Sequence, residues 1–225
     1  MSVPGPYLTP SELVYLNGEI FAQKAGVFNK VQLLHTNLSV NMVQLAQMAV
    51  VAAFLANEQA GTLRLELRAK KALLGLSTVQ ALYAEPCGPL RQWPPHTVEA
   101  VLSPYAERFK AEKNTNEVYS ILYAWLGQDW PSPFKEVIDR IQYGLGVRTL
   151  LEMHEEKKLK IFTVRSYTLP DSTRALLQSF PPAPVQQMLR QCEQTRPQVW
   201  KALLEQVKKA ISARTEQSDN DFDND

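Results

Sequence analysis

The chain has 225 residues, 45% of them apolar and 21% charged, which suffices for one globular core. No window approaches the roughly 18 uninterrupted apolar residues of a membrane span. The net charge of +1 falls far short of the basicity of a dedicated nucleic-acid binder.

That small net charge hides an asymmetry. Glu216, Asp219, Asp221, Asp223 and Asp225 all lie in the last ten residues, and without them 24 basic residues face 18 acidic ones, a body charge of +6. Such a body attracts anionic surfaces moderately. The acidic tail has Phe222 as its one large apolar residue and is expected to be disordered over 216–225, leaving 1–215 as a single compact helical domain.

Residues 1–10 carry three prolines and a glycine and predict an irregular lead-in, without the basic and apolar regions of a secretory leader. A short helix starting at Pro10 is capped by Thr9 or Ser11. The first strong helix runs from near Ser39 to Asn57, with Met42, Leu45, Ala46, Ala49, Val50, Ala53 and Phe54 at helical spacing, and Gly61 ends it. Directly afterwards Leu63, Leu65 and Leu67 alternate with Arg64, Glu66 and Arg68, the pattern of a strand with one buried face. Thr78 to Ala84 supplies its partner, across a link from Ala69 to Ser77 that is longer than a tight hairpin allows.

Prolines at 86, 89, 94, 95 and 104 predict a surface connection with at most a short helix. Asn116 is a candidate cap for a helix carrying Val118, Ile121, Leu122, Trp125 and Leu126, stopped by Gly127. Ser132 and Pro133 open another, with Phe134, Val137, Ile138 and Ile141 inward, although Gly144 and Gly146 weaken its last turns. After a charged link from His154 to Lys158, a second strand spans Leu159 to Tyr167. Pro170 and Asp171 open a helix through Leu177, Val185 to Cys192 forms another, and Pro197 starts the last, with Val199, Trp200, Leu203, Leu204, Val207 and Ile211 on one face. The fold expected is mainly α, a helical domain with two short β-hairpins, each following a helix. Its core should hold Leu63, Leu65, Leu67, Ile121, Trp125, Ile138 and Trp200.

No glycine-rich phosphate loop, serine elbow or paired-cysteine motif is present, so no enzymatic activity and no cofactor are expected. Cys87 and Cys192 are widely separated and expected to be free thiols, as in the cytoplasm. His35, His96 and His154 lie at no ligand spacing from one another, so no metal site is expected.

Two basic groups carry the candidate site: Arg64, Arg68, Lys70 and Lys71 on the first strand, and Lys157, Lys158, Lys160 and Arg165 around the second. On projecting ribbons they suit the phosphates of lipid head groups or nucleic acid. The same charges also suit a solvated strand face whose lysines discourage edge-to-edge pairing. Glu155 and Glu156 dilute the second group. Tyr119, Tyr123, Trp125, Trp130, Phe134 and Tyr143 recur at helical spacing and are expected in the core, a ligand cavity being the alternative.

Two blocks resemble the Golgi phosphoprotein-3-like family of peripheral phosphoinositide-binding proteins. One is Leu38 to Gly61-Thr-Leu-Arg-Leu-Glu, similar to the family's first core helix and the strand after it. The other is Leu126-Gly-Gln-Asp-Trp-Pro-Ser-Pro-Phe-Lys, similar to the turn that opens a later helix, followed by a hairpin like Leu159 to Pro170. The resemblance covers about residues 38–70 and 117–180 by order and spacing. It implies a peripheral adaptor contacting anionic phospholipid or a protein partner. Asn41 and Val50 stand where the family carries a head-group tryptophan and arginine, and Arg140 lies one residue from a family arginine. Phosphoinositide specificity is therefore not expected to carry over. The alternative from the residues alone is a winged-helix nucleic-acid-binding regulator, with a ribbon as the wing.

Overall fold

The computed structural model describes residues 7–72, 77–88, 92–113, 115–158 and 162–215. In chain order these form α1 (Pro10–Leu16), α2 (Gly18–Phe21), β1 (Lys30–Gln32), β2 (Ser39–Asn41), α3 (Met42–Gln59), β3 (Leu63–Ala72), β4 (Ser77–Pro86), α4 (Val98–Lys113), α5 (Val118–Leu126), α6 (Pro133–Val147), β5 (Glu152–Lys158), β6 (Phe162–Thr168), α7 (Asp171–Ser179), α8 (Ala183–Thr195) and α9 (Pro197–Ser212). The architecture is mainly α with small antiparallel pairs, β1–β2, β3–β4 and β5–β6. Three pairs stand where two were expected. The additional one, β1–β2, has only three residues per strand and no alternation long enough to read. The acidic tail over 216–225 lies outside the described residues.

Helix α3 is the centre of the domain. Leu45, Ala46, Ala49, Val50, Val51, Ala52, Ala53 and Phe54 are all fully buried, so it is apolar nearly all round, the signature of a helix enclosed by neighbours. Its alanines admit α1, α4, α6, α8 and α9 close to its backbone. It starts later than the sequence suggests, because Ser39–Asn41 pairs as a strand. The Asn41 side chain then caps it by accepting from Gln44 N at 3.0 Å. At its other end Gly61 adopts φ +71°, a conformation that favours glycine and lets β3 leave at once.

A polar cluster fixes how the elements around α3 meet. Asn57 Oδ1 accepts from Thr62 Oγ1 at 2.8 Å, Trp93 Nε1 at 2.9 Å and Ser103 Oγ at 3.2 Å, while its amide donates to Glu99 O at 3.1 Å. Glu99 itself is fully buried and accepts from the amide and hydroxyl of Ser11, each at 2.8 Å. Burial raises its pKa against those hydrogen bonds.

Helix α4 takes up the end of the proline-rich connection predicted from the sequence, from Val98 to Pro104, and runs on to Lys113, longer than the short helix expected. Pro104 lies inside it and cannot donate to the preceding turn. Packing compensates: Leu102 and Ala106 are fully buried, Phe109 nearly so, and α4 lies against α3. Thr97 caps the start by accepting from Ala100 N. Asn116 does not cap α5; its amide donates to Ala84 O at 2.9 Å and the cap position falls to Glu117. Gly144 and Gly146 remain helical, and α6 is crossed tightly at both. A Cβ at Gly144 would stand 2.2 Å from the His96 carbonyl oxygen. Trp200 and Leu67 pack half-buried against the core, and the other five expected core residues are fully inside it.

Candidate functional site

The first basic group sits on the long ribbon β3–β4, whose register pairs Leu63 with Pro86 and Ala72 with Ser77. Most of the predicted link is thus itself strand. The alternation holds: Leu63 and Leu65 are buried while Arg64 faces solvent. Neutralisation is the unexpected part. Arg64 pairs with Glu66, Arg68 with Glu66 and, at 2.7 Å, with Glu85, and Lys70 with Glu117.

Lys110 of α4 closes on Glu85 as well. Burial alone would raise the Glu85 carboxyl, but Lys110, Arg68 and Asn116 together hold it down at about 2. Arg68 above all, helped by Arg64, keeps Glu66 below the usual carboxylate range, and Glu117 raises Lys70. Four cations therefore share three carboxylates. Lys71, exposed at the far end, takes part in no ion pair among the described residues.

The second group divides. Lys160 lies outside the described residues, and the backbone places Lys157 and Lys158 at the end of β5 opposite Thr163 and Phe162. The predicted charged link His154 to Lys158 is a strand, paired throughout with β6. It reads as a link because Glu and Lys at consecutive positions offer no alternation, and cross-strand charge pairing takes its place. Arg165 donates through Nε to Glu155 at 2.8 Å, its register partner, and that carboxylate raises its pKa.

Arg140 and Arg165, far apart in sequence, meet in one open groove of about 680 Å³ between α6 and the β5–β6 pair. Trp130, Tyr143 and Tyr167 give it aromatic walls, and Lys135, Glu136 and Asp139 complete its charge. Not all of these cations are available. Arg140 bonds Glu136 and the Trp125 and Leu126 carbonyls at 2.6 and 3.0 Å, so it secures the C-terminus of α5. Lys135 is held by Asp139. Arg165, its guanidinium carbon 5.2 Å from the Tyr143 ring centre, gives Glu155 its Nε, and its two terminal nitrogens have no partner among the described residues.

The expectation that the aromatic set belongs to the core holds for Trp125, which is buried, and not for Tyr143, which is exposed, or Trp130, which lines the groove. Helical spacing identifies a face without saying what covers it. Tyr143 and Val147, one turn apart on α6, and Met153 of β5 are exposed apolar side chains, and Tyr143 lines the groove. The hairpin approaches α6 closely here, since a Cβ at Gly146 would lie 3.2 Å from the Tyr167 ring and 3.5 Å from Met153 Cβ. Lys135 and Tyr167 line the groove without being among the candidates visible in the sequence. The i, i+4 spacing of Tyr143 and Val147 with the small residues between them is the signal that marks this face.

No group of three His, Cys, Asp or Glu residues able to hold a metal occurs among the described residues, nor does a helix long and apolar enough to cross a membrane. Comparison with known proteins finds no matching family model, no matching curated protein and no matching solved structure.

Proposed function

We propose that the protein is a non-enzymatic peripheral adaptor that binds anionic lipid head groups at the groove between α6 and β5–β6. One observation carries this reading: Arg165, whose terminal nitrogens have no partner among the described residues, lies over exposed Tyr143 in the groove walled by Trp130 and Tyr167. A phosphate at the bilayer surface accepts from the arginine, and the apolar side chains rest at the boundary with the acyl chains, where amphipathic aromatic rings are favoured. The ribbon β3–β4 contributes less than its composition suggests, because its arginines already face carboxylates.

Cosedimentation with phosphatidylserine-containing vesicles tests the reading. Binding should fall with added salt, and Arg165→Ala should weaken it about fivefold, the equivalent of about 1 kcal/mol for one cation at an anionic surface. Undiminished binding by that variant removes the groove from the lipid contact. Retention of duplex DNA at about 0.15 M salt without vesicle binding favours a nucleic-acid regulator instead.

A further inference from the structure

The most exposed large apolar side chains among the described residues lie nowhere near the two basic groups in sequence. Val27 is 81% and Phe28 82% exposed, against 52% for Leu38, the next in order. Scattered exposed apolar residues are ordinary, but these two are consecutive and sit at the tip of a loop whose ends are fixed. On the entering side Gln23 N donates to Gln44 Oε1 at 2.9 Å, Asn41 N to Gln23 O at 2.8 Å and Ala25 N to Ser39 O at 3.0 Å. On the leaving side Met42 N donates to Asn29 O at 2.7 Å. Asn29 takes φ +54°, a turn conformation that asparagine tolerates. The loop is thus tied to β2 and the start of α3, and the bond from Ala25 to Ser39 brings its beginning beside exposed Leu38.

Charge gives the second observation. Lys24 and Lys30 flank the tip, both are exposed, and neither takes part in an ion pair among the described residues. The sequence from 20 to 57 contains no aspartate or glutamate at all. A rigid apolar tip between unpaired cations matches the layered chemistry of an anionic bilayer, phosphates outside and acyl chains beneath. A protein interface is a poorer fit, since a stable one engages roughly 20 to 30 residues a side.

We propose that residues 23–30 form an interfacial anchor in which Val27 and Phe28 enter an anionic bilayer while Lys24 and Lys30 meet its phosphates. This deepens the reading of the protein as a membrane-peripheral adaptor and rests on it. The anchor and the groove are separate contacts, so they fail separately.

The test uses the full chain with vesicles of phosphatidylcholine containing roughly one-third phosphatidylserine. The double variant Val27→Ser/Phe28→Ser should bind at least about tenfold more weakly, with its melting temperature unchanged because both side chains already face water. Phe28→Trp should add fluorescence that shifts to the blue on vesicle binding and is quenched by brominated acyl chains, over the wild-type background. Wild-type binding with no loss in the double variant, or added tryptophan emission that is neither shifted nor quenched, overturns the anchor and leaves the lipid reading standing. Loss in the double variant together with undiminished binding by Arg165→Ala supports the anchor and removes the groove. Failure of the wild type to bind these vesicles overturns both.

Discussion

The ribbon β3–β4 and the loop 23–30 both present cations, and the two differ in what stands beside those cations. On the ribbon, Arg64, Arg68 and Lys70 each reach a carboxylate, and Glu85 and Glu117 come from 17 and 47 residues away in sequence. On the loop, Lys24 and Lys30 have no such neighbour among the described residues and border the two most exposed apolar side chains there. A count of basic residues favours the ribbon; a count of unneutralised ones favours the loop. Availability of a cation is a tertiary property, because a carboxylate at hydrogen-bond distance already supplies what a phosphate would offer.

The largest effect that separates the two regions is expected on the loop. Lys24→Ala combined with Lys30→Ala should lower affinity for anionic vesicles by up to about 25-fold, from about 1 kcal/mol per cation, as read by cosedimentation. The same double variant should change folding stability by less than about 0.5 kcal/mol. Equal retention by variant and wild type would erase the contrast.

Next in size is the ribbon's structural role. Glu85→Gln leaves Arg68 and Lys110 without their shared carboxylate and should cost about 1–2 kcal/mol in urea denaturation. The sign of the pH dependence follows from the same carboxyl. Its folded pKa of about 2 lies below the ordinary 4.5, so its stabilisation is present above about 4.5 and is lost as pH falls through about 2. Denaturation at successive pH values across that window should give a shallower acid loss in Glu85→Gln than in the wild type. Glu99 acts in the opposite sense: its pKa is raised by burial, so its contribution declines as pH rises above the unfolded value.

The smallest effect is the sharpest check. Arg64→Ala, with its side chain 63% exposed but paired to Glu66, should weaken vesicle binding by less than about twofold, in keeping with the small worth of an exposed pair. A loss as large as that of the loop variant would show that pairing with Glu66 does not withdraw the arginine from the surface.

Particular elements show where the sequence suffices. The alternation over Leu63 to Arg68 predicts β3 and its buried face, since a period of two has one structural meaning when one face is covered. Pro133 after Ser132 marks the start of α6, and Gly127 and Gly61 mark helix ends with positive φ. By contrast α4 is hidden by Pro104 and the prolines before it, because local propensity opposes a helix that burial of Leu102 and Ala106 sustains. The strand β5 is hidden because its support lies across the ladder, in Arg165 and its neighbours.

The sequence by itself determined the helical class, the buried face of β3 and most helix boundaries, because period, capping and glycine placement are local physics. Only the tertiary structure decided which cations are free, that Arg140 secures a helix end while Arg165 faces a groove, and that Val27 and Phe28 stand in solvent. Those outcomes depend on which groups the chain brings within a few ångströms from distant positions. Desolvation and charge pairing act over that distance and are not encoded in the spacing of neighbours along the chain.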